Sequence, residues 1–207
     1  MPPVERFVCR FAAEPPQGPL PQGAWAQTLQ AEFLAACLRI DAEGQEIGES
    51  HELRWFPDRT WNGRTYVPAT ARTSTGLELF GYVSFVPGDP DATDFTASAD
   101  YTDETAERNP DWHIDICDEV IGSWRGEGGR SAEMTLVWGV PLIGNARVAT
   151  AELDNLAVDQ CATIQDRFTL IAPDNYRSDY LHVKLWDADG RELASESLYV
   201  EDDDAEE

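Results

Sequence analysis

Apolar residues in this chain mostly alternate with period two or form short runs, in segments closed by Gly, Pro, Asn and Asp. Side chains alternate across a strand with period two, whereas a helix repeats every 3.6 residues, so this spacing constrains the chain to β structure. The segments are residues 7–11, 53–56, 65–67, 77–86, 134–138, 146–153, 161–171 and 180–186. Such short strands with frequent turn signals predict a mainly β protein of antiparallel, sandwich-like architecture. At 207 residues, 42% of them hydrophobic, the chain can bury a sizeable core as one domain or two small ones.

Two stretches carry helical signals as well. Trp25, Leu29, Phe33 and Cys37 recur at i+4 in an Ala-rich segment, although residues 24–40 also alternate. Asn109, Pro110 and Asp111 form a helix-start pattern, and Trp112, Ile116, Val120 and Trp124 would then share a face. Four β-branched residues and Gly122 oppose a long helix there. The expectation is one or two short helices, the second starting at Pro110 and passing into a strand near Val120.

A repeat bears on the first stretch. Residues 38–47 (LRIDAEGQEI) align with residues 184–193 (KLWDADGREL), each reading as strand, Asp-Ala-acid-Gly turn, strand. It favours strands over a helix for residues 33–40 and raises two pseudo-repeated β lobes.

Charge is concentrated. The net charge is -24, and residues 88–119 hold eleven acids against one base, Arg108. Residues 201–207 hold six acids and no base, so sixteen of the net charges fall in 39 residues. Charge runs usually mark solvated segments. The expected organisation is an N-terminal β lobe (1–87), an acidic loop or linker (88–109), a C-terminal β lobe (110–200) and an acidic disordered tail (201–207). So negative a chain repels phosphate backbones and anionic bilayers, which disfavours nucleic acid and membrane partners. A basic protein partner or a small ligand is expected instead. No apolar run reaches the roughly 18–20 residues that span a bilayer. The first residues lack a basic stretch followed by an apolar one, so a cytoplasmic protein is expected. Its basic residues are Arg except Lys184, a bias of GC-rich coding that points to a bacterial source.

No catalytic constellation is apparent. Cys9, Cys37, Cys117 and Cys161 are far apart, lack a Cys-x-x-Cys pair and have apolar neighbours, as buried reduced thiols do. His113, Asp115 and Cys117 would share a face on a strand but not on a helix. His182 lies within an apolar strand. There is no Gly-x-Ser-x-Gly elbow, and Gly126-Glu127-Gly128-Gly129-Arg130 matches no phosphate loop. A hydrolase-type site would have to assemble from distant loops around His113 or His182.

Two binding patterns remain. Asp187, Asp189, Glu192 and Asp174 could gather the six to eight oxygens calcium needs. Residues 183–189 (VKLWDAD) resemble the calcium loops of C2-like domains, which implies calcium as ligand; no other cofactor is expected. Trp55, Trp61 and Tyr66 flank a turn and could stack on a sugar. The reading is a non-catalytic binding or interaction protein, with a calcium- or carbohydrate-binding sandwich module as its alternative.

Overall fold

The computed structural model describes residues 20–42, 44–125, 131–174 and 180–199. The expected strand at residues 7–11, Cys9, the glycine-rich Gly126–Arg130 stretch and the acidic tail lie outside this set. The chain is mainly β and antiparallel, in a layered, sandwich-like arrangement. One helix, α1 (Gly23–Cys37), precedes twelve strands among the described residues. The first sheet, A, holds β1 (Ser50–Trp55), β2 (Arg59–Trp61), β3 (Arg64–Thr73), β4 (Glu78–Val86) and β5 (Thr93–Thr102), ordered β1-β3-β4-β5 with β2 also on β3. Sheet B, ordered β10-β7-β6, uses β6 (Ile114–Arg125), β7 (Ser131–Pro141) and β10 (Phe168–Asp174). Sheet C is ordered β12-β11-β8-β9, from β8 (Val148–Leu153), β9 (Leu156–Ala162), β11 (His182–Trp186) and β12 (Glu192–Ser197).

Alternation along individual strands decides how these layers stack. On β7, Met134, Leu136 and Trp138 meet Phe56 and Tyr66 of the front half, while Val137 between them joins Ala149, Ala151, Val183 and Leu185 of sheet C. Sheet B therefore lies between A and C, and β7 is buried on both faces, as a central strand must be. On β3, Val67 and Ala69 face away from sheet B and pack with Leu29 and Phe33 of α1. The order of layers is α1, A, B, C. Gly81 of β4 has φ +153° and sits so close to β5 that a Cβ would lie 2.1 Å from the Ser98 carbonyl oxygen, so a side chain there would force the strands apart.

Three local expectations are corrected. Residues 33–37 belong to α1, not to a strand, so the first copy of the repeat follows a helix. Its second copy is the β11–β12 hairpin, in which Asp187 Oδ1 accepts the backbone N–H groups of Asp189 and Arg191. The expected helix at Pro110 is a turn, with Trp112 N–H donating to Asn109 O, and β6 starts at Ile114. The acidic stretch read as a loop contains β5, an edge strand whose Phe95, Ala97 and Ala99 pack toward the α1 core. Acids on the exposed side of an edge strand also oppose pairing with other chains. No helix among the described residues is long and apolar enough to cross a membrane.

A buried ion pair joins the two halves of the chain. Arg59 of β2 places Nη2 2.6 Å from each carboxylate oxygen of Asp159 on β9, both residues almost fully buried. Asp159 Oδ2 also accepts the Ile171 N–H of β10 at 2.8 Å. β9 and β10 are the edges at which sheets C and B part, so Arg59 and Asp159 close that seam.

Candidate functional site: an acidic cleft between sheets A and B

Where β4 and β6 begin, the facing layers leave a cleft of about 160 Å³. Glu78 and Phe80 of β4 form one wall, and Asp115, Ile116, Cys117 and Asp118 of β6 the other. Glu104 and Trp112, from the β5–β6 connection, close the rim. An inner chamber of about 10 Å³ shares Glu78, Asp115 and Cys117 with the outer one and is completed by Arg54, Phe56, Thr70 and Trp138. Gly139 permits this geometry: a Cβ there would meet the Asp115 carbonyl oxygen at 2.3 Å.

The electrostatics of the cleft are unbalanced. Glu78 is buried, yet neither its carboxylate nor that of Asp115 forms a hydrogen bond or ion pair with another described residue. Burial pushes both carboxyls above the usual range; Asp115 raises Glu78 further, while Arg54 and Arg72 draw both back. Arg72 is itself paired with Glu107. The Cys117 thiol is pushed well above its ordinary value by burial and then by neighbouring carboxylates, which disfavours the reactive thiolate. Trp138 Nε1 is fully buried without a hydrogen-bond partner among the described residues, a deficit of about 1–3 kcal/mol for a donor left unpaired.

A carboxyl raised by folding binds its proton more tightly in the native state. Stability from Glu78 and Asp115 is therefore greatest below the usual carboxylate pKa and falls as pH rises through their raised values. Glu78→Gln removes the charge and keeps the shape. It is expected to raise Tm by a few degrees near neutral pH and to lose that advantage near pH ~4, each kcal/mol being worth about 2–4 °C at this chain length. Equal gains at both pH values in thermal unfolding would show that the charge is not the cause.

The residues singled out in the sequence are placed as follows. Asp187 commits both oxygens to its turn, Oδ2 receiving Arg191 Nε at 3.0 Å. Asp174 Oδ1 accepts the Leu181 N–H, and Glu192 pairs with Lys184 at 3.3 Å. Asp189 is exposed. Among the described residues, no three His, Cys, Asp or Glu side chains are grouped to hold a metal ion. Trp55 is buried against the α1 side of sheet A, while Tyr66 and Trp61 pack on its opposite face, so the three form no common platform. His113 and His182 are exposed, and neither imidazole has a hydrogen-bond partner among the described residues. From the His113-Asp115-Cys117 group, β6 delivers Asp115 and Cys117 to the cleft and leaves His113 outside.

Sequence reasoning missed Glu78 and Trp138. Glu78 did carry a signal: it lies in phase with Phe80 and Tyr82 on the inward face of an apolar run, an unusual place for an acid. A larger hollow of about 760 Å³ lies open on the face of sheet C, lined by Lys184, His182, Tyr180 and Tyr199 among others. Its cation is already neutralised, Lys184 lying 3.0 Å from Glu152 and 3.3 Å from Glu192. Comparison with protein-family models, with curated proteins and with solved structures finds no match to this chain.

Proposed function

We propose that the protein is a non-catalytic binding protein that takes a small organic cation in the cleft between sheets A and B. The observation that carries this reading is the buried Glu78 carboxylate, held beside Asp115 without a direct cationic partner. An ammonium group entering the cleft would favour the ionised form of both carboxyls, which burial disfavours. Phe80 and Trp112 supply aromatic surface, which attracts cations through the negative faces of the rings. Glu104 at the rim adds an attractive field for positive ligands. A binding role is favoured over hydrolysis because both histidines lie outside the cleft and its thiol is held protonated.

Propylammonium is a suitable probe. Titration followed at the Trp112 indole N–H by NMR should give saturable shifts. Affinity should rise with pH as Glu78 and Asp115 ionise, and fall at least about tenfold, or ~1.4 kcal/mol, in Glu78→Gln. Absence of any saturable shift in the wild-type protein would sink the proposal.

A further inference from the structure

An aromatic platform of the kind that Trp55, Trp61 and Tyr66 do not form stands on sheet C. Ala149, Ala151, Val183 and Leu185 point into the core, so Thr150, Glu152, His182 and Lys184, which alternate with them, occupy the outward face. The register sets Glu152 beside His182 and His182 beside Ser197 in one row, with Lys184 beside Ser195 in the next. These rows floor the open hollow of about 760 Å³, a size usual for small-molecule sites. At the same end of the sheet stand the β8–β9 turn, with Asp154 and Asn155, and the rings of Tyr180 and Tyr199. The two rings stack with centroids 4.0 Å apart and planes 14° from parallel, although the residues are 37% and 47% exposed.

The floor is held in place by its own bonds. Trp186 Nε1 donates to Thr150 Oγ1 at 2.8 Å, Thr150 Oγ1 donates to Glu152 Oε1 at 3.0 Å, and Lys184 bridges Glu152 and Glu192. This arrangement decides the charge of the ligand. An anion would find Lys184 already shared by two carboxylates, and a cation would have to compete with Lys184 for them. An apolar ligand would strip water from the polar floor without replacing its hydrogen bonds. His182, Ser195, Asp154 and Asn155 line the hollow with side chains that have no hydrogen-bond partner among the described residues, and together they offer donors and acceptors. A hydroxyl both donates and accepts. The C–H face of a sugar ring carries the weak positive charge that an aromatic face attracts.

We infer that the hollow on sheet C is a second binding site and that its ligand is a neutral carbohydrate, one ring lying on the Tyr180–Tyr199 pair and its hydroxyls bonded to His182, Ser195, Asp154 and Asn155. The site is independent of the cation cleft, and either can fail without the other.

Cellotetraose, maltotetraose, chitotetraose and mannotetraose, titrated to millimolar concentration and followed by NMR, test the inference. At least one should give saturable shifts of the His182 and Tyr199 ring resonances while the Trp112 indole N–H stays in place. Tyr199→Ala, a change at a half-exposed position, should weaken that sugar about tenfold, or ~1.4 kcal/mol. Tyr180→Ala is the second variant should the first fail to fold. Absence of a saturable shift from all four sugars overturns the inference, as does an affinity unchanged in both variants. Propylammonium should leave His182 unmoved; a saturable His182 shift with it would make the hollow a cation site and equally overturn the inference.

Discussion

Asp159→Ala is expected to lower the unfolding free energy by about 3–5 kcal/mol, the usual cost of stranding one member of a buried ion pair. Arg59 would be left almost fully buried with Nη2 unpaired, in addition to Nε and Nη1, which already have no partner among the described residues. Ile171 would lose the acceptor for its N–H. The pair itself is no large source of stability: burial pushes the Asp159 carboxyl up, and this outweighs the pull of Arg59 and of the backbone N–H groups of Ile171 and Gln160. Replacing both members by apolar residues should therefore cost less than the two single changes combined. In Arg59→Met/Asp159→Leu, the unpaired Ile171 N–H, worth about 1–3 kcal/mol, should dominate what remains. Urea denaturation of the two singles and the double gives the coupling directly. A loss below about 1 kcal/mol in Asp159→Ala, or strict additivity, would show that the pair does not close the seam between sheets B and C.

That seam also shows where local reading of the chain stops. The β class was legible because β3, β4, β7, β10 and β11 are apolar or alternating over their own length. β5 was not, because its apolar side consists of Phe95, Ala97 and Ala99 interleaved with polar and acidic residues, a weak pattern completed only by pairing with β4. Asn109, Pro110 and Asp111 carry genuine helix-start chemistry, yet the segment turns. Asn109 Nδ2 is spent on Thr105 O, and the β-branched residues that follow pair with β7 from Ile114 to Arg125. Half of the candidate site was similarly visible. Asp115 and Cys117 stand two apart and share a face once the segment is a strand. Glu78 joins them through the stacking of sheet A on sheet B and Trp138 by lying opposite Cys117 in the β6–β7 register, and residue spacing encodes neither. The acidic segment thus acquires a role as structure: its end supplies Glu104, Trp112, Asp115 and Asp118 to the cleft.

α1 is the element on which the local signals conflicted, and Phe33→Ala tests what decides its conformation. Gln22 makes no side-chain capping bond, and the helix has no acid in its first turn and no base in its last. Capping and dipole terms, each worth about 0.3–2 kcal/mol where present, therefore contribute nothing at these ends. A helix of 15 residues is marginal alone in water, so packing has to supply its stability. Leu29 and Phe33, both fully buried, carry that packing, with the Phe33 ring 6.4 Å from Trp55 in an edge-on arrangement. Truncating Phe33 should cost about 3–5 kcal/mol, and Trp55, deprived of its aromatic neighbour, should emit at longer wavelength before global unfolding. The cleft lies on the opposite face of sheet A, so amine binding measured on the folded fraction should be unchanged. A cost below about 1 kcal/mol would mean that α1 is held by something other than its Leu29–Phe33 face, since a buried aromatic in a well-packed site is not removed so cheaply.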